Sequence, residues 1–152
     1  MIIAGVDPGL SGGMAIIDGN DAYAHIMPIA GKEIDGHAIA AIMRESKPDL
    51  AIIEKVASRP GQGVASMFKF GKGYGIIIGV CDAMGIPYRL VTPQAWKKVV
   101  LSGTAKDKDA AISFVRRAYP SVDLTPGRKR VAHDGIADAA CLAEYGKQKH
   151  SF

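Results

Sequence analysis

Apolar positions fall first in short runs, then at helical spacing, then in short runs again. Residues 2–7 are apolar as far as Asp7 and carry the β-formers Ile2, Ile3 and Val6. Pro8-Gly9 ends the run, which predicts a first strand. Residues 14–17 predict a second strand, Asp18-Gly19-Asn20 a hairpin turn, and residues 22–27 the returning strand, so the chain opens as an antiparallel meander. From residue 34 to 46 the spacing turns helical, with Ile34, Ala38, Ala41 and Ile42 on one face. Residues 50–53 are a short apolar strand ending at Glu54, and residues 58–63 read as a flexible loop. A long helix is predicted over 64–84 in spite of Gly71, Gly73, Gly75 and Gly79, each of which costs about 1 kcal/mol against Ala. Gly71, Gly75 and Gly79 recur every four residues and so share a smooth face open to a close neighbour. A strand over 86–91 follows, then Thr92-Pro93 as N-cap and first helical position of a short helix over 94–100. Helices over 107–118 and 134–146 flank a basic loop, and the tail after 146 is expected to fray. The predicted order is βββαβαβααα.

The 152 residues fit a single domain, 1–152, and a hydrophobic content of 48% supports a core without disulfides or structural metal. No apolar run approaches membrane-crossing length, and the N-terminus has neither the basic flank nor the cleavage site of a signal peptide. Cys81 and Cys141 form no C-x-x-C pair and read as reduced, buried thiols. The expectation is a cytoplasmic protein with no membrane partner. Net charge is +4, and basic residues cluster from residue 97 onward: Lys97, Lys98, Lys106, Lys108, Arg116, Arg117, Arg128, Lys129 and Arg130. Charge alone is weak grounds for a nucleic-acid partner, but that clustering adds to it.

The acids are sparser and singly placed. Asp7 and Glu54 each close a predicted strand, and functional sites on α/β sheets favour that edge. Asp7 alone is equally a turn former. Glu54 follows an apolar run, and an acid partly buried there needs a partner or a metal. Asp134 and Asp138 stand four apart on one helix face, where like charges cost about 0.2–0.5 kcal/mol. Asp134 is also a candidate N-cap in the first turn, where the helix dipole favours an acid; Asp138, amid alanines, has no such reason. If the four converge, a hard divalent cation relieves their repulsion. Two such ions can activate water and stabilise the leaving oxygen of a phosphodiester. The glycines after Asp7 then keep side chains off the carboxylate so that a phosphate backbone can approach.

Three stretches, "GVDPGLSGGMAII", "LAIIE" and "DGIADAACLA", resemble in order and spacing the acidic motifs of the RuvC-like Holliday-junction resolvases, within the RNase H-like superfamily. "KFGKGYGIIIGVCDAMGIPYRLVTPQAWKKVVLSGTAKDK" resembles their central helix, strand and basic segment, so the likeness spans residues 2–145. It implies an α/β, RNase H-like mixed five-stranded sheet, three antiparallel N-terminal strands and then two parallel, with helices on both faces. It further implies a homodimer on branched DNA with four-way junctions, nicking each strand to leave a 5′-phosphate. Asp7, Glu54, Asp134 and Asp138 would hold Mg²⁺, two ions per site with Mn²⁺ as substitute. Lys108 resembles the lysine near the scissile phosphate, or is a solvated lysine at a helix start. Lys97 or Lys98 resembles a DNA-contacting position.

Two departures qualify the likeness. Bacterial members usually space the last two acids three apart, not four, which leaves Asp138 firmer than Asp134 and brings in His133 as an alternative ligand. The shorter chain before Glu54 and the "DGIADA" spacing look more like phage-borne members. The implied host cell is therefore bacterial or phage-infected, and flaps and forks join four-way junctions as candidate substrates. Arg59 and Gln62 follow Glu54 in a loop suited to the junction centre, and Lys106, Arg128, Lys129 and Arg130 suit phosphates. Phe68 and Phe70 can stack on unpaired bases or pack in the core, and Phe68 beside Val64 and Met67 favours the core. Trp96 reads as a buried anchor. The "DPG" start also occurs in actin-like and sugar-kinase phosphotransferases, but these need two large domains, so no nucleotide cofactor is expected. A non-cleaving junction binder of the same fold has no use for clustered acids facing DNA.

Overall fold

β1 (Ile2–Asp7), β2 (Gly13–Asp18) and β3 (Asp21–Ile26) form the antiparallel meander. The computed structural model describes every residue except Arg59, Ala105, Lys106, Lys108, Ser151 and Phe152, so the expectations for Arg59, Lys106 and Lys108 lie outside the described residues. Two short strands, β4 (Ile29–Ala30) and β5 (Glu33–Ile34), make a small separate hairpin. β6 (Leu50–Glu54) and β7 (Tyr88–Val91) add in parallel to β1, giving the order β3-β2-β1-β6-β7. This is the mixed five-stranded sheet expected of an RNase H-like fold.

Residue parity sorts the sheet into two faces. Ile3, Ala15, Ile17, Leu50 and Ile52 lie on one side, with Trp96 and Val115 and with the buried alanines of α5 (Asp134–His150). The same side takes α3 (Pro93–Val100) and α4 (Ala110–Ala118). Ala4, Val6, Met14, Ile16, Ala51 and Ile53 lie on the other, against α1 (Gly36–Ser46) and α2 (Val64–Met84). Helices therefore cover both faces.

Four local expectations change. Ile34 belongs to β5 rather than to the helix, because Asp35 caps α1 by accepting from the Ala38 N–H at 3.1 Å and so fixes the helix start after itself. Strand β7 begins at Tyr88, after the left-handed Gly85 that ends α2. The tail does not fray at 146: α5 runs to His150, and Lys147 donates to the Gly19 carbonyl at 2.9 Å, tying the helix end to the β2–β3 turn. Finally, α2 has 21 residues and is apolar enough, by length and composition, to cross a membrane, against the expectation that no run comes near that length. Here Gly73, Ile77 and Cys81 of α2 are buried in the fold.

Glycines set how closely α5 lies on the sheet. A side chain on Gly5 of β1 would collide with the Ala139 carbonyl, and one on Gly146 would come within 2.7 Å of Ile52. One on Gly13 would stand 3.0 Å from the Gly135 carbonyl, and one on Gly135 would meet the Ser11–Gly12 backbone. Gly13 thus serves the approach of α5, while a side chain on Gly12 would collide with the Asp7 carbonyl, so Gly12 serves the tight turn after β1. Neither is there to keep an open space over the Asp7 carboxylate, which corrects that expectation. The 71/75/79 face of α2 is the reverse: nothing lies within 4 Å of a Cβ at any of the three, while Gly73 is the glycine pressed against Ile34.

Candidate active site

Asp7 ends β1 on the side of Ile3, and Glu54 ends β6 on the side of Leu50 and Ile52. Both carboxylates thus leave the sheet on the face that α5 covers. The parallel register runs from Ile3↔Leu50 to Val6↔Ile53, and one more step sets Asp7 beside Glu54. The close approach of α5 brings in Asp138 from above, with Asp134 one turn earlier and exposed.

The electrostatics tie these groups together. Burial, then the charges of Glu54 and Asp138, push the Asp7 carboxyl up to about 7. Burial and Glu54 push Asp138 up to about 6, Lys97 pulls it back down, and Asp134 adds a smaller upward push. Asp7, Glu54 and Asp138 are one cluster, and Asp134 joins it through Asp138. Of the four acids, Glu54 is the one whose side chain is hydrogen-bonded among the described residues: Trp96 Nε1–H donates to its Oε2 at 2.8 Å. Trp96 is fully buried, as expected, but its polar edge serves the site. Sequence reasoning missed that bond, and the available signal was an indole N–H in a buried position, a donor that requires a partner.

His133 occupies the cap position of α5. Its Nδ1 accepts from the Ile136 N–H at 3.1 Å, and its carbonyl accepts from the Ala137 N–H. The cap is therefore His133, and Asp134 sits in the first turn, where the dipole favours it.

A cavity of about 770 Å³ opens beside the acids, lined by Gln94, Lys97, Lys98, Thr104, Asp134 and Asp138 among others. Lys97 and Lys98 are exposed at its rim, and Lys97 Nζ lies 5.5 Å over the Trp96 ring. Arg128, Lys129 and Arg130 are exposed on a 3-10 turn (Pro126–Arg128) and the loop leading into α5. Gln62 is not part of this cavity; it lines a smaller one of about 180 Å³ with Ser58, Met67, Phe70 and Tyr74. Phe68 is not in the core: it is 75% exposed, beside an equally open Val64 at the start of α2. Of the two neighbours expected to bury Phe68, Val64 is itself at the surface and Met67 is only half-buried.

The donor set is carboxylate oxygen, which suits a hard divalent cation such as Mg²⁺ or Mn²⁺. Among the described residues, no three His, Cys, Asp or Glu side chains form a ready-made group that could hold an ion.

No family model matches the chain. A crossover junction endodeoxyribonuclease RuvC of Nitratidesulfovibrio vulgaris is 27% identical over 103 residues, 68% of this chain and 59% of the relative's length. Among solved structures, Thermus thermophilus RuvC in complex with Holliday junction substrate superposes with a TM-score of 0.68 at 16% identity, covering 95% of this chain and 92% of that one. Fowlpox virus resolvase, in its complex with substrate Holliday junction DNA, gives 0.56 at 19% identity over 100% of both chains. The strand order, the helices on both faces and these superpositions give this chain the RuvC-like Holliday-junction resolvase fold, a form of the RNase H-like architecture.

Proposed function

We propose that this protein is a structure-specific endodeoxyribonuclease that resolves Holliday junctions and related branched DNA by divalent-metal-dependent hydrolysis, leaving 5′-phosphate nicks. The observation that carries this reading is geometric: Asp7 and Glu54 end neighbouring parallel strands on the face that α5 covers, and the charge of Glu54 acts there on Asp138 of α5. A pure DNA-binding face gains nothing from acids crowded together next to lysines. Bound Mg²⁺ or Mn²⁺ supplies activation of a water and stabilisation of the leaving oxygen.

The chain's own residues supply the rest. Asp7, Glu54 and Asp138 hold the cation, with Asp134 at the exposed edge completing the set. Lys97 and Lys98 meet phosphates at the cavity rim, and Arg128, Lys129 and Arg130 meet those farther along the duplex arm. Lys106 and Lys108 belong to the same basic segment, with Lys108 next to the scissile phosphate. Arg59 and Gln62 reach the junction centre, and the exposed Phe68 stacks on an unpaired base there. The working unit is a homodimer, because paired nicks in a four-way junction need two sites. The open glycine face of α2 is the surface that fits a second copy.

Synthetic four-way junctions, flaps, forks and linear duplexes incubated with the protein and Mg²⁺, with products mapped at nucleotide resolution, test the reading. Paired nicks near the branch point by wild type, and none by Asp7→Asn, are expected. Junction binding with no turnover in either Mg²⁺ or Mn²⁺ would replace the nuclease with a binding protein of the same fold.

A further inference from the structure

Glu54 is the acid that acts on both of its neighbours, yet it sits at a strand end, where its side chain has free rotamers to explore. One contact restrains it. The Trp96 indole edge donates to Glu54 Oε2 at 2.8 Å, from a ring with no solvent exposure. The ring is itself held by local structure. Thr92 caps α3 by accepting from the Ala95 N–H at 3.2 Å, and Pro93 starts the helix at its first position, so Trp96 faces inward one turn later. As a core filler, Trp96 needs only its rings; a Phe would keep an aromatic ring there, with a packing loss that a separate core truncation can calibrate. The N–H is the part that packing does not require, and it points to an acid of the proposed site. The face of the same ring carries Lys97, whose Nζ is 5.5 Å from the centroid and whose charge acts on Asp138.

We propose that Trp96 is a positioning residue, whose indole N–H holds Glu54 in the rotamer that leaves its second oxygen for a divalent cation, while its ring face seats Lys97. Asp7, Asp134 and Asp138 have no side-chain hydrogen bond among the described residues, so Glu54 is the acid of the four whose orientation a hydrogen bond fixes. The proposal rests on the metal-dependent reading above.

Cation binding without DNA separates the two. Mn²⁺ binding to the metal-free protein, followed by electron paramagnetic resonance of free Mn²⁺, is compared for wild type, Trp96→Phe, Glu54→Gln and Val100→Ala. Val100 is buried one turn later on α3 and has no side-chain donor for Glu54, so its truncation removes packing without removing a hydrogen bond. Loss of a group that orients a metal ligand costs about 10–100-fold in affinity. The Phe variant is expected to keep its circular dichroism spectrum and lose Mn²⁺ affinity by about that factor. Val100→Ala should lose heat stability and keep its affinity. Half-saturating Mn²⁺ for junction cleavage should rise in the Phe variant by the same factor, with kcat at saturating metal largely restored.

A folded Phe variant with wild-type affinity, or an equal loss in Val100→Ala, overturns the positioning role and leaves the metal reading intact. Absence of Mn²⁺ binding by wild type overturns both. If the Phe variant fails to fold, the protein's single tryptophan gives the answer in wild type. Mn²⁺ should quench its emission with the same affinity, and the quenching should vanish in Glu54→Gln; an emission indifferent to Mn²⁺ overturns the proposal.

Discussion

A carboxylate held near neutrality by burial is a strain on the metal-free protein and a resource for the loaded one. Asp7 and Asp138 rise from an ordinary 3.8 to about 7 and about 6. A raised carboxyl binds its proton more tightly folded than unfolded. Its contribution to stability is therefore complete at pH values below 3.8 and lost as pH climbs toward about 7. In EDTA, the urea midpoint should be higher at pH 5 than at pH 8, and Asp7→Asn/Asp138→Asn should flatten that fall. Mg²⁺ should raise the wild-type midpoint at pH 8 and scarcely at pH 5, because the ligands must be deprotonated to bind. A wild-type midpoint that rises with pH in EDTA along with that of the double variant would place the cost elsewhere. For Asp7→Asn alone, junction nicking should fall on the order of 10³-fold, as the loss of a metal ligand withdraws several kcal/mol at about 1.36 kcal/mol per decade. The same variant should melt a few degrees higher than wild type in EDTA at pH 8. Activity and stability moving in opposite directions distinguish a site residue from a structural one.

At the scale of elements, α5 against β1 and β2 is the decisive contact, and glycine makes it possible. Replacing Gly135 by Val would drive a branched side chain into the Ser11–Gly12 backbone, and α5 would have to lift from the sheet at its N-terminal end. That end carries Asp134 and Asp138, so the variant is expected to lose both stability, by about 2 kcal/mol or more, and Mn²⁺ binding. Thermal melting and the spin-resonance titration measure the two losses. Gly75 is the contrasting case. Nothing lies within 4 Å of a Cβ there, so a long side chain fits the monomer, and replacing glycine inside a helix removes a penalty of about 1 kcal/mol. Gly75→Arg is expected to stabilise the monomer while blocking a second copy from the glycine face of α2. Sedimentation should show a dimer for wild type and a monomer for Gly75→Arg; a variant that still dimerises would move the interface off α2.

Over the molecule as a whole, charge divides the surface, with crowded acids at the sheet rim and bases on the cavity edge and the loop before α5. Phosphates met by those bases set affinity through counterion release. Arg128→Ala/Lys129→Ala/Arg130→Ala should weaken junction binding across sequences. It should also lower the slope of log affinity against log salt by about one for each phosphate no longer neutralised. Measurement in Ca²⁺, over a series of salt concentrations, gives the slope without turnover. An unchanged slope would take that loop out of the DNA interface.

The linear chain determined what local physics can encode. Apolar runs, the Asp18-Gly19-Asn20 turn and the Thr92-Pro93 start specify β1, β2, β3, α2 and α3 within a few residues, because periodicity reports which faces are buried. It also singled out Asp7 and Glu54, since an acid at the end of an apolar strand is visible without a partner. The tertiary structure alone decided what those residues meet. That Asp7 stands beside Glu54 depends on the parallel register of strands far apart in sequence. That α5 comes near enough to add Asp138 depends on glycines of β1, β2 and α5 fitting one another. The bond from Trp96 to Glu54, 42 residues apart, likewise follows from packing between separate segments. Side-chain period fixes which way a residue faces, but only the assembled surfaces fix what stands opposite it.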